Sequence, residues 1–100
     1  MEFLVEMVTN VPEGTSEATV ADTVAREAVR AAELARQGNL LRLWKPPVKP
    51  GEWRTFGLWA ADDEQQLHDE VLDTLPLRVW MTIEVTPFAP HPNDPAGKGA

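Results

Sequence analysis

Glu27 is the residue best placed for chemistry in this chain. Val20, Val24, Ala28, Ala31, Leu34 and Ala35 recur at helical spacing as one apolar stripe. At about 100° per residue, Glu27 falls inside the edge of that stripe, whereas Glu33 points almost directly away from it. A carboxylate held against a sheet is desolvated, so its pKa should rise and it could take and return a proton near neutral pH. The plainer role for Glu27 is an ion pair with Arg30 or a lysine at the stripe edge. His68, beside Leu67 at the margin of a second apolar line, carries an imidazole that could position a carboxylate or donate to an oxygen. With Glu64 and Asp69 nearby it fits an ordinary helix residue equally well. Three cations lie on expected strands: Arg42 and Lys45, flanking Leu43 and Trp44, and Arg54 further on. Arg42 alternates with Leu41 and Leu43, so Arg42 and Lys45 can face different sides.

Composition narrows the classes of function. One hundred residues, 43% of them hydrophobic, make one compact domain with too little material for a separate cofactor domain. Sixteen acidic and nine basic residues give a formal charge of -7. No basic stripe is present to neutralise phosphates, so nucleic-acid binding is disfavoured. Cysteine is absent, which removes disulfides and thiolate chemistry and fits a reducing cytoplasm, the expected location. The start, MEFLVEMVTN, reads neither as a signal peptide nor as a membrane span. The second histidine, His91, sits in the tail, and no compact histidine–carboxylate set joins it to His68, so no metal site is expected.

The elements that must position these residues follow from pattern and punctuation. Phe3, Val5 and Met7 alternate with Leu4, Glu6 and Val8 as a first strand. Pro12 to Ser16 reads as a turn, with Thr15 or Ser16 capping a helix that runs to about Gln37 and stops at Gly38. Leu40 to Lys45 forms a second strand, interrupted by the proline-rich Pro46–Gly51 segment. Trp53 to Ala60 forms a third. Asp62 and Gln65 stand at capping-box spacing for a second helix, whose apolar line is Leu67, Val71 and Leu75 and which ends at Pro76. Trp80 to Pro87 makes the fourth strand, and the tail beyond is expected to be extended or partly mobile. The order strand, helix, strand, strand, helix, strand predicts an α+β, ferredoxin-like βαββαβ fold: a four-stranded antiparallel sheet with both helices on one face. The domain covers residues 1–90 and the tail residues 91–100. The other sheet face is left bare, which makes a homo-oligomer the expected state.

The segments MEFLVEM, REAVRAAELARQGNLLRLW, LHDEVLDTLPL and WMTIEVTPFAPHPNDP resemble, in that order and spacing, the muconolactone delta-isomerase family. The resemblance covers nearly the whole chain. It implies a ferredoxin-like subunit in a ring, typically a decamer, that converts muconolactone to 3-oxoadipate enol-lactone in bacterial catechol breakdown. It implies no metal, nucleotide or flavin, and a tail packed on a neighbouring subunit. The Pro46–Gly51 connection is longer than the corresponding turn in some family members.

That reaction needs one carboxylate able to reach two carbons of a lactone ring, and the resemblance points to the helix of Glu27. It also needs cations for the substrate's carboxylate arm and for the developing oxyanion. Lys45 has a basic counterpart in the family; Arg42 and Arg54 are further candidates, though as surface cations they could simply be solvated. Trp44, beside Lys45, is the indole expected to roof the lactone. Other classes remain open on such a fold: a cofactor-free dehalogenase or monooxygenase, or a lactone-binding protein without activity.

Overall fold

The computed structural model describes residues 1–98 and has four strands: β1 (Glu2–Thr9), β2 (Leu40–Trp44), β3 (Trp53–Ala60) and β4 (Met81–Phe88). They form one antiparallel sheet in the order β2-β3-β1-β4. Helix α1 (Glu17–Arg36) joins β1 to β2, and a second helical segment joins β3 to β4. This is the ferredoxin-like βαββαβ arrangement expected from the pattern. The last two residues of the expected tail, Gly99 and Ala100, lie outside the described residues. No helix among the described residues is long and apolar enough to cross a membrane.

Alternation sorts the sheet into two faces. Phe3, Val5 and Met7 are buried on the inner face, where their cross-strand partners are Trp59, Gly57 and Thr55 on β3 and Pro87, Val85 and Ile83 on β4. Leu34 of α1 and Leu67, Val71, Leu72 and Leu75 of the second helical segment complete this core. The outer face carries Leu4, Glu6 and Val8, which pair with Leu58, Phe56 and Arg54. A register shift between Leu40 and Arg42 inserts one residue into β2. It leaves Leu43 opposite Gly57 on the inner face and Trp44 opposite Phe56 on the outer one.

Gly57 is required by its neighbours. A Cβ built there would stand only 2.3 Å from Trp59 Nε1 and 3.2 Å from Leu43 Cδ2, so the glycine makes room for the buried indole beneath α1.

Helix α1 begins at Ser16, whose hydroxyl accepts from the Thr19 amide at 3.1 Å. It ends with Gly38 at φ 85°, as the sequence requires. The second helical segment departs from the expected regular helix. Its cap is Asp63, one residue later than expected: the Asp63 carboxylate accepts from the Gln66 amide at 2.7 Å, and Gln66 Oε1 accepts from the Asp62 amide at 2.6 Å. A single α-turn, α2 (Glu64–Gln66), widens into a π-turn at Leu67–Val71, then tightens into 3-10 turns at Leu72–Thr74 and Pro76–Trp80. Leu67, Val71, Leu72 and Leu75 of this segment are all buried in the core. Near the C-terminus Pro95–Lys98 forms a short helix, α3, and the Asp94 carboxylate accepts from the Ala96 amide at 3.0 Å. The tail is therefore not extended throughout.

Candidate active site

The apolar stripe of α1 does not close fully on the sheet. Thr23 and Leu34 are its buried residues, while Val24, Glu27, Ala28 and Ala31 line a cavity of about 760 Å³. The floor includes Met7, Leu43, Thr55 and Trp59, and the rim includes Lys45, Lys49, Glu52 and Trp53. The lining is predominantly apolar with a few charged groups at its margin, the usual composition of a small-molecule site.

Glu27 is half-buried in this wall. Its Oε1 accepts a hydrogen bond from the Leu77 amide at 2.9 Å. Burial raises its pKa, and the Leu77 hydrogen bond partly opposes that rise by stabilising the carboxylate. The expected alternative partner, Arg30, is engaged elsewhere: its Nε donates to Thr74 Oγ1 at 2.9 Å and its Nη1 lies 3.5 Å from Glu33 Oε1. Glu27 is thus a desolvated carboxylate facing a cavity rather than half of an ion pair.

Lys45 follows the last residue of β2 and lies on the same cavity as Glu27. Lys49 joins it from the Pro46–Gly51 loop, which turns tightly through a Glu52 amide to Lys49 carbonyl hydrogen bond of 3.0 Å, with Gly51 at φ 81°. Neither lysine has an ion-pair partner among the described residues. Lys49 was missed in the sequence, where the loop reads only as a break in the sheet. The available signal was a cation set among three prolines, beside a strand end already carrying Lys45.

The other candidates separate from this pair. Arg54 borders the cavity, but its Nε sits 3.6 Å from Glu6 Oε2 and 3.8 Å from Glu52 Oε1, and strand alternation turns it toward the outer face. Arg42 and Trp44 lie on that outer face because of the shift in β2; the Arg42 guanidinium carbon is 5.0 Å from the Trp44 ring centre. Trp44 therefore does not roof the cavity, and Trp53 and Trp59 supply its indoles. The Trp59 Nε1 is buried without a hydrogen-bond acceptor among the described residues. His68 lies in the π-turn, outside the cavity lining, with Nε2 3.7 Å from Glu64 Oε2. Among the described residues, no three His, Asp or Glu side chains gather as a metal-ion site.

A ferredoxin-like domain with a half-buried carboxylate and two lysines around an apolar cavity is built like a small-molecule site. The sequence model of the muconolactone delta-isomerase family matches residues 1–94, and the chain belongs to that family. The muconolactone delta-isomerase of Cupriavidus pinatubonensis is 33% identical over 93 residues, which cover 93% of this chain and 97% of the relative. That of Acinetobacter lwoffii is 30% identical, with 93% of each chain covered. The crystal structure of a muconolactone isomerase superposes with a TM-score of 0.80 at 29% identity, again covering 93% of both chains. A dehydrochlorinase from Burkholderia phenoliruptrix, at TM-score 0.64 and 13% identity over 89% of this chain and 94% of its own, shares the fold.

Proposed function

We propose that the chain isomerises muconolactone to 3-oxoadipate enol-lactone, a step of catechol breakdown, with Glu27 as the proton carrier. Membership of the family supports the reaction. The observation that carries the residue assignment is that Glu27 and Lys45 line one cavity.

Glu27, ionised, removes the proton from the ring carbon that bears the carboxymethyl arm. The C–H electron pair becomes a ring double bond, and the original double bond shifts its electrons toward the lactone carbonyl, giving a dienolate. Glu27 then returns the proton to the carbon beside that carbonyl, the C=O reforms, and the composition of the ring is unchanged. One carboxylate serves both steps if both carbons lie within its reach on one ring face. Its raised pKa suits a group that must give a proton back as readily as it takes one. Lys45 and Lys49 supply positive charge for the carboxylate arm and for the dienolate oxygen. Assembly of identical copies through the bare outer face of the sheet belongs to the same reading.

The test follows double-bond migration by proton NMR with purified protein, muconolactone and Glu27→Gln. The expected loss of kcat in the variant is about 10²–10⁴-fold, the usual value of a positioned acid–base group. Conversion untouched by the substitution removes Glu27 from the chemistry. No conversion by the folded, assembled parent removes muconolactone as the substrate.

A further inference from the structure

Glu27 is held by one oxygen and open at the other. Oε1 accepts from the Leu77 amide at 2.9 Å, whereas Oε2 has no hydrogen-bond or ion-pair partner among the described residues. The bond joins positions fifty residues apart, on opposite sides of one seam: Glu27 on α1, and Leu77 in the 3-10 turn Pro76–Trp80. The same seam is fastened one helical turn further along α1, where Arg30 Nε donates to Thr74 Oγ1 at 2.9 Å. The turn itself is braced: Arg78 Nη1 donates to the Met81 carbonyl at 2.7 Å, its Nε lies 3.5 Å from Asp73 Oδ1, and the Arg78 amide donates to the Leu75 carbonyl at 3.0 Å. Leu77 and Glu27 both face the cavity.

An amide in the first turn of a 3-10 segment has no acceptor within that segment, so a carboxylate reaching it from outside satisfies a donor that would otherwise go unpaired. Such a bond costs the carboxylate one oxygen and fixes the direction of the other. We propose that the Leu77 amide is the positioning group of the active-site carboxylate: it pins Oε1 and leaves Oε2 as the oxygen that removes and returns the substrate proton. The assignment rests on the isomerase reading above. The side chain of Leu77 contributes cavity wall; the backbone N–H does the positioning.

This arrangement also sets where on the pH axis the base is ionised. Burial raises the Glu27 pKa and the Leu77 bond lowers it, so loss of the bond moves it higher still. The charged groups around Glu27 are Arg30 on its own helix, Arg78 from the turn, and Lys45, Lys49, Glu52 and Arg54 across the cavity. Arg30 and Arg78 are committed to Glu33 and Asp73, and Glu52 lies beside Arg54. None of these side chains bonds to Glu27, so the Leu77 amide is the direct hydrogen-bond control.

The experiment replaces the Leu77 residue by its α-hydroxy analogue, an ester that lacks the N–H and keeps the side chain, in the full-length protein. kcat for muconolactone should fall about 10–100-fold, the worth of one hydrogen bond to a charged group, with KM nearly unchanged. The acid limb of the kcat/KM profile should move to higher pH. Leu77→Ala, which keeps the amide and alters the cavity wall, should change KM and leave the limb where it was. A second measurement needs no variant: in the unmodified protein the Leu77 amide proton and the Glu27 carboxyl carbon should titrate together by NMR, at the pH of the acid limb, and the amide should stop titrating in Glu27→Gln. A Leu77 amide that stays flat while the Glu27 carbon titrates overturns the positioning role, as does an ester with an unmoved limb. A parent that turns over no muconolactone overturns the isomerase reading instead, while the paired titration still reports whether Leu77 holds the carboxylate.

Discussion

At the scale of single residues, Glu27 was legible because helical phase is a local property: its angle within the α1 stripe follows from sequence alone. The identity of its partner was not. Leu77 becomes available only through a 3-10 turn fifty residues away, and a backbone donor leaves no mark in side-chain chemistry. Glu27 also carries a stability signature. Because burial raises its pKa in the folded state, the folded chain holds more protons than the unfolded chain between the two pKa values. Stability therefore falls as pH rises from the ordinary carboxylate value through the raised one, and the cost is complete above it. Glu27→Gln removes this titration and keeps an oxygen for the Leu77 amide. Urea midpoints of parent and variant, measured across the acid-to-neutral range, should diverge in the variant's favour as pH rises. A constant difference, or one that grows toward acid pH, would show that the carboxylate is not desolvated in solution.

At the scale of elements, the strands were readable because alternation and proline breaks mark them. The second helical segment departs from the regular helix that the four-residue spacing of Leu67, Val71 and Leu75 predicts: one α-turn gives way to a π-turn and then to 3-10 turns, a change of winding that hydrophobic spacing does not encode. In β2 the inserted residue reverses which side chains meet the helices. A plain ladder gives no sign of it, and it sends Arg42 and Trp44 to the outer face while Lys45 stays with the cavity. The neighbouring loop then adds Lys49, held by a proline-bounded turn. The two lysines should divide their work. Lys45→Met should lower kcat and raise KM, since its place at the end of β2 suits both the arm and the dienolate oxygen. Lys49→Met should raise KM alone. Each effect should be about 10-fold, the lower end for a charge-assisted hydrogen bond, because both side chains are exposed at the rim. Added salt should raise the parent's KM toward those of the variants, as screening of exposed charge requires. Steady-state kinetics at two ionic strengths decide it; an unchanged KM in Lys49→Met makes that lysine a solvated loop residue.

At the scale of the whole molecule, the order of elements is enough to dictate a ferredoxin-like sheet, and it also dictates that one face has no helix over it. That face is unlike an ordinary solvated surface. Leu4, Val8, Phe56 and Leu58 occupy its centre, and Trp44 stands 40% exposed beside them on the edge strand β2. Charges of both signs surround this apolar middle: Arg42 above Trp44, Arg54 beside Glu6, and Glu84 opposite Glu6 on β4. Arg42 and Glu84 have no ion-pair partner among the described residues, so a second copy of the same face can meet apolar centre with apolar centre and complement the charges around it. For a chain of net charge -7, such complementarity is needed to offset repulsion between copies. Light scattering on the parent should therefore return a multiple of the 11.1 kDa chain mass. Leu58→Lys places an ammonium in the middle of the contact and should release smaller species. Because Leu58 lies on the opposite side of the sheet from Glu27 and Lys45, those species should keep the cavity, and residual isomerisation per chain then measures how far the site depends on assembly. A parent that scatters as a single chain would leave the apolar face without its partner and remove the self-association reading.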